Sequence, residues 1–445
     1  MSRISRRAFL SSVLPAAAAV QIVPRHIIAA SGQTPPSEKI NVAIVGVGGR
    51  GWASVEGLRH ENFTAFCEVD LVRGEQALRT FPNVPVYSDY RRMFDEREKE
   101  IDAVAVCTPD HTHAVISLEA IRRGKHLFCE KPLAHTVHEV RTLMKAAAEH
   151  DVVTQLGNQG HSSGDIRRFC EWVWDGAIGQ VHTVHAGCNN SYSRINQLGQ
   201  LNERPPVPDT LEWDLWLGPV QERAYHPMYV PGKWRGWSAF GSGIIGDWIC
   251  HVVDPVFWAL DLGAPETVQA EVEGYDPKQH GETFPGAVRV TYTFGSKGPR
   301  GPVTLHWYSG SKRMPRPDGL PEGQNVPDIG ATVLGERGGI VYGSHGAGGL
   351  RIFPEEQMQA YKQPEPTLPR VPGHHQDFLE AIRSGKKAGS DFSYGGPLTE
   401  LALLGIIGMR FPGQRLEWDS RAVRFANHPE ANRWLQSAYR EGWAL

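Results

Sequence analysis

Five mostly apolar residues, Asn41-Val-Ala-Ile-Val45, run straight into Gly46-Val-Gly48-Gly49-Arg50-Gly51, a G-x-G-x-x-G spacing. That is a buried strand meeting a phosphate-binding turn. Gly46 permits the tight turn, Gly48 lets the backbone approach a pyrophosphate, and Gly51 lets the next helix, expected from Trp52 to His60, lie close against the strand. The helix start adds free N–H groups and a partial positive charge, with Gly49 and Arg50 beside the pyrophosphate. Glycines punctuate ordinary turns too, so the chain beyond them decides.

A second apolar strand, from Asn62, closes on Glu68 and Asp70. An acid about twenty residues past the glycines is placed to hydrogen-bond the adenine-side ribose. Glu68 ends the apolar run and is the better candidate; a carboxylate there favours NAD and disfavours the extra phosphate of NADP. Asp70 has the alternative of capping the helix that starts near Arg73. The strand Ile101–Cys107 ends in Thr108-Pro109-Asp110-His111-Thr112-His113, and the strand Lys125–Cys129 delivers Glu130-Lys131-Pro132 to the same sheet edge. Ligands bind at such carboxyl ends. Lys131 beside a bound nucleotide can share in proton transfer; the alternative is a surface lysine.

After a last helix and strand, Gly157-Asn158-Gln159-Gly160-His161 reads as the crossover into a second domain, with Asn158 or His161 facing the cleft. The stretch 191–237 is rich in Pro, Trp, Arg and Tyr with little periodicity. Lys233, Trp234 and Arg235 form either a carbohydrate-binding rim or a cover over the sheet. Asp247 and His251 are four apart in a helical stretch and share one face. That spacing serves a carboxylate orienting an imidazole, a pair of metal ligands, or a plain buried pair. Beyond Pro265 alternating segments read as a mostly antiparallel sheet, and a helix starts at His374.

The three motifs in order, Gly46-x-Gly48-x-x-Gly51, Cys107-Thr-Pro-Asp-His-Thr-His113 and Cys129-Glu-Lys-Pro132, resemble the Gfo/Idh/MocA oxidoreductase superfamily. The resemblance implies that Lys131 reaches nicotinamide and substrate hydroxyl, that Thr108, Pro109 and His113 line the cofactor with Glu130 and Asn158, and that Asp247 and His251 match the family's helical Asp-x-x-x-His, His251 as general base. It makes a sugar or polyol the substrate, met by Lys131, Asp247 and His251; His161 at the crossover and Lys233, Trp234 and Arg235 on the rim are the further candidates for binding it. No metal is implied.

Length and charge are consistent with this. A chain of 445 residues divides into two or three domains, expected as 1–37 signal and linker, 38–157 dinucleotide-binding domain and 158–445 substrate and oligomerisation domain. The fold class is a doubly wound α/β Rossmann sheet plus a C-terminal α+β domain with a large, mostly antiparallel open sheet. A net charge of −3 argues against a nucleic-acid binder. Six cysteines without paired spacing read as buried hydrophobes. Ser5-Arg6-Arg7-Ala8-Phe9-Leu10 before an apolar, alanine-rich run resembles a twin-arginine export signal, implying a periplasmic protein with no membrane span beyond a retained signal. Export leaves little NAD pool, so the cofactor is expected to stay bound and be recycled. Paired oxidation and reduction does this in a homo-oligomeric oxidoreductase; transient oxidation in an NAD-dependent glycosidase is the alternative, and a non-catalytic sugar binder is the third class.

Overall fold

Six short strands alternate with helices over residues 41–156: β1 Asn41–Val45, β2 Asn62–Cys67, β3 Val86–Tyr87, β4 Ala103–Val106, β5 His126–Cys129 and β6 Thr154–Leu156. They pair in parallel in the order β3-β2-β1-β4-β5-β6. The order reverses between β1 and β4, which opens a crevice at the carboxyl ends of the two strands. β4 is buried along its whole length because helices cover both faces, which is why it reads as an unbroken apolar run. In this computed structural model residues 38–445 are described; the twin-arginine segment lies outside them. No helix among the described residues is long and apolar enough to cross a membrane.

The second sheet has nine strands, in the order β13-β12-β11-β7-β10-β9-β8-β14-β15: β7 Val181–Cys188, β8 Thr267–Glu273, β9 Ala287–Phe294, β10 Val303–Ser309, β11 Ile329–Gly335, β12 Gly338–Gly343, β13 Arg351–Phe353, β14 Arg415–Asp419 and β15 Arg424–Phe425. All neighbours run antiparallel except β7 and β10. In β9, Val288, Val290, Tyr292 and Phe294 point inward while Arg289, Thr291 and Thr293 point out. The inner face is covered by the helix Phe392–Met409, and Tyr292 donates its hydroxyl to the Leu401 carbonyl at 2.9 Å.

Several boundaries differ from the sequence reading. The helix expected from Trp52 to His60 runs Gly51–Leu58, and another helix begins at Asp110, directly after Pro109, whose extended conformation ends the strand turn. The strand expected over Ile101–Cys107 runs Ala103–Val106, and the helix Phe392–Met409 carries Pro397 inside it. The short strands β13 and β15 have too few residues to show alternation. On the helix Gly164–Trp174, Trp172 is core and Trp174 is half exposed, as two residues two apart must be. All six cysteines are free and buried.

Candidate active site

The glycine turn is built by close approach. Gly46 has φ +82°, and a Cβ there would lie 2.9 Å from the Cys107 carbonyl carbon. A Cβ on Gly51 would sit 1.9 Å from the Gly46 carbonyl oxygen, so only glycine lets the helix Gly51–Leu58 start against β1. At Gly48 the near neighbour is the Arg73 main chain, 2.5 Å from an added Cβ, so this glycine also admits the next helix. The amides of Gly49 and Arg50 have no partner among the described residues and stand at that helix start. Arg50 donates to the buried Glu130 carboxylate at 2.8 Å.

Glu68 accepts amide hydrogens from Val47 at 3.0 Å and Gly48 at 3.1 Å, and through its other oxygen from Asp70 at 3.1 Å. Burial pushes its carboxyl above the usual range, against the pull of those three amides. Asp70 is the helix cap, accepting from the Arg73 amide at 3.3 Å.

One cleft runs from Glu68, past the glycine turn and the Thr108-Pro109 corner, to Lys131, Asp247 and His251. Gly46, Gly48, Arg50, Glu130, Trp234 and Arg235 line it too. Asp247 and His251 come from the helix Gly243–Val252, whose approach is fixed by Asp110: its carboxylate accepts the Ser242 amide at 3.0 Å. His111, between the carbonyls of Trp216 (2.9 Å) and Phe240 (3.3 Å), docks the irregular segment beside it. That segment keeps most of its aromatics in a core of its own, including Trp216, Tyr229, Trp237 and Phe240.

At the inner end, the Lys131 ammonium bonds the Asp247 main-chain carbonyl at 2.9 Å and also its carboxylate. Tyr192 donates to the second carboxylate oxygen at 2.7 Å, and Arg235 lies 3.4 Å from the first. Burial alone would raise the Asp247 carboxyl, but Lys131 and Arg235 outweigh it and hold it well below the usual range. His251 is 5% exposed and has no hydrogen-bond partner among the described residues. Burial, with Lys131 and His345 nearby, depresses its imidazole well below the ordinary value, so it is neutral at pH 7. His345 stacks on it with ring centres 4.3 Å apart.

Five sequence expectations are corrected by these positions. Asp247 does not orient His251: its oxygens are taken by Lys131, Tyr192 and Arg235. Asn158 and His161 lie behind the cleft, both bonded at 3.0 Å to the buried carboxylate of Asp254, which also accepts from Tyr394 at 2.6 Å. His113 does not line the cleft either. Its ring nitrogens face the carbonyls of Thr108 and Pro132, both at 2.8 Å, so it braces the two loops as an imidazolium. Burial opposes that charge, but Cys129, Asp110 and the Pro132 carbonyl outweigh it and raise the imidazole to about 10. Lys233 is exposed outside the lining, while its neighbours Trp234 and Arg235 stack 4.2 Å apart within it.

Sequence reasoning missed Tyr192, His345 and Trp443. His345 has φ +59°, a conformation rare outside glycine, and it is wedged against Gly160, where a Cβ would lie 2.3 Å from the His345 carbonyl carbon. No motif marks such a residue; the lone signal is the small-residue run Gly343-Ser-His-Gly346-Ala-Gly348 around it.

Residues 40–158 match the oxidoreductase family's NAD-binding Rossmann fold, and residues 173–299 match that family's C-terminal alpha/beta domain. The chain belongs to the Gfo/Idh/MocA oxidoreductase family. Among curated relatives, a levoglucosan dehydrogenase of Pseudarthrobacter phenanthrenivorans is 26% identical over 52% of this chain, which spans 50% of that relative's length. A glycosyl hydrolase family 109 protein of Saccharopolyspora erythraea is 27% identical over 51% of this chain and 45% of its own. Thus the chain spans about half the length of these curated relatives. Among solved structures, the WlbA dehydrogenase from Bordetella pertussis, in complex with NADH and UDP-GlcNAcA, superposes with TM-score 0.61 over 86% of this chain and 99% of that one, at 17% identity. At that identity the likeness is one of fold.

Proposed function

We propose that this chain is an NAD-dependent oxidoreductase that takes hydride from a secondary alcohol of a sugar or polyol, with the dinucleotide held tightly and recycled in each cycle. The observation that carries this reading is the meeting of an ammonium, a carboxylate and a neutral, unpartnered imidazole at the inner end of one cleft.

The residues suit a dinucleotide. The Gly49 and Arg50 amides suit a pyrophosphate, Glu68 suits a ribose edge, and the Thr108-Pro109 corner lies between them and Lys131. When bound, NAD supplies the hydride acceptor. The rest falls to the chain. His251, neutral at pH 7, accepts the substrate hydroxyl proton. Lys131, held by Asp247, orients that oxygen and stabilises the negative charge that develops on it. Tyr192 and Arg235 keep the Asp247 carboxylate in place. Trp234 offers an apolar face for a sugar ring.

Export by the twin-arginine route, with assembly through the open face of the nine-stranded sheet, belongs to the same proposal. It makes recycling necessary, because a dissociating cofactor would be lost after one turnover. Glycoside cleavage through transient oxidation is the second reading, favoured by the likeness to glycosyl hydrolase family 109 proteins; it uses the same residues. Incubating the protein with aryl glycosides and no added NAD separates the two. Reduced nicotinamide that persists until a ketose is added supports the oxidoreductase, whereas released aglycone with no standing reduction supports the glycosidase.

A further inference from the structure

The last residues of the chain come back to the cleft, at the end opposite Lys131. After the turn Ala431–Trp434 the tail is tied down at four points. His138 donates its amide to the Leu435 carbonyl at 2.9 Å, Gln221 donates to the Ala438 carbonyl at 3.1 Å, and Tyr439 donates to Glu139 at 2.6 Å. Arg440 donates to the carbonyls of Gly218 at 2.6 Å and Asp214 at 2.7 Å, and to the Asp214 carboxylate. So anchored, the chain sets the Trp443 ring into the cleft wall beside Tyr90. The Arg91 guanidinium lies 4.7 Å from the Trp443 ring centre and is itself held by Asp89 at 2.8 Å.

This end of the cleft is the adenosine half. Tyr90 follows β3, and Glu68 ends β2, the strands on that side of the glycine turn; Lys131 follows β5 on the other side. An indole fixed there offers a stacking face to an aromatic base.

We propose that the C-terminal tail is a latch on the dinucleotide: Trp443 is the wall against which adenine stacks, and Arg440 pins that wall shut. The inference rests on the reading of the cleft as a dinucleotide site and adds a cause for slow release. A cofactor stacked on a tethered segment leaves only as fast as that segment lets go. Arg440 touches no ligand in this account and acts by positioning Trp443.

The test uses the full chain and three probes: NAD, AMP and nicotinamide mononucleotide. Loss of a base–aromatic stack weakens binding by about 10- to 100-fold. Trp443→Ala should show that loss for NAD and AMP and none for nicotinamide mononucleotide, while Trp443→Phe keeps most of the affinity. Arg440→Ala should speed NAD release with a smaller change for Trp443→Phe. Equal weakening of all three probes by Trp443→Ala, or unchanged AMP affinity in a variant that melts like the parent, overturns the latch. A parent protein that binds neither NAD nor AMP overturns the dinucleotide reading itself.

Discussion

The Lys131 ammonium bonds both the main-chain carbonyl and the carboxylate of Asp247, so the end of β5 and the helix Gly243–Val252 are joined at the inner end of the cleft. Both side chains are nearly out of solvent, at 10% and 14% exposure. Removing one partner strands the other, at a cost of about 3 kcal/mol for such a pair. Lys131→Ala should therefore lower the melting temperature as well as reduce turnover by about 100-fold or more. Asp247→Asn, which keeps shape and leaves Arg235 and Tyr192 in place, should reduce turnover by a similar factor with less loss of stability. Thermal melts beside single-turnover reduction of bound cofactor check both.

His251 should act as a base that is already unprotonated. Its imidazole is depressed well below the ordinary value, by burial first and by Lys131 and His345 next. The rate should therefore stay level from about pH 8 to about pH 6, where an unperturbed histidine would be losing its base form. His251→Ala should cost about 10²- to 10⁴-fold in turnover while dinucleotide content is unchanged. His345→Asn suits the left-handed backbone but opens the stacked face to water, which raises His251 toward its ordinary value. The acid limb of the rate profile should move upward in pH in that variant.

Glu68 should set cofactor choice through charge. It is buried at the end of β2, with the Arg73 side chain lying over Gly49 next to it. Glu68→Ser removes the anion and leaves Arg73 free to meet a ribose phosphate. The ratio of NAD to NADP affinity should fall at least about tenfold, roughly one charge-assisted contact. Because Glu68 also ties down the Val47 and Gly48 amides, absolute NAD affinity should fall as well.

Acid should destabilise the fold before it reaches the carboxylates. His111 and His374 are depressed to about 3 by burial, and His375 to about 4. Below about pH 6.5 the unfolded chain takes up protons on these rings and the folded chain does not, so stability falls as pH drops from about 6.5 toward 4. Each fully buried ring contributes up to about 1.4 kcal/mol per pH unit. His113 has the opposite sign: raised to about 10, it stabilises below about 6.5 and loses that contribution as pH rises through 10. His375 stacks on Phe128 at 4.7 Å, so His375→Phe should keep the contact and flatten the acid slope of the melting temperature.

The elements legible in the sequence were those with a local cause. β9 alternates from Val288 to Phe294 and falls beyond Pro265 where periodicity puts the sheet, and the glycine turn announces the crevice. Within the Cys107 to His113 motif the residue types were legible and their jobs were not. Asp110, His111 and His113 brace loops and dock the second half, because buried polar side chains next to main-chain carbonyls and amides are drawn to them. Asn158 and His161 follow the same rule, drawn to Asp254 almost a hundred residues on. His345 and Trp443 reach the cleft only through tertiary folding, by a strained turn and a returning tail, and no local pattern encodes either.

The absorbance of nicotinamide in the purified protein, recorded while sugars and polyols are added and no cofactor is supplied, tests the central claim most directly. The account predicts a dinucleotide that stays with the protein through gel filtration, identifies as NAD after denaturation, and becomes reduced on addition of a sugar or polyol in the parent but not in His251→Ala. A folded protein that carries no dinucleotide and takes none up when NAD is offered would contradict it.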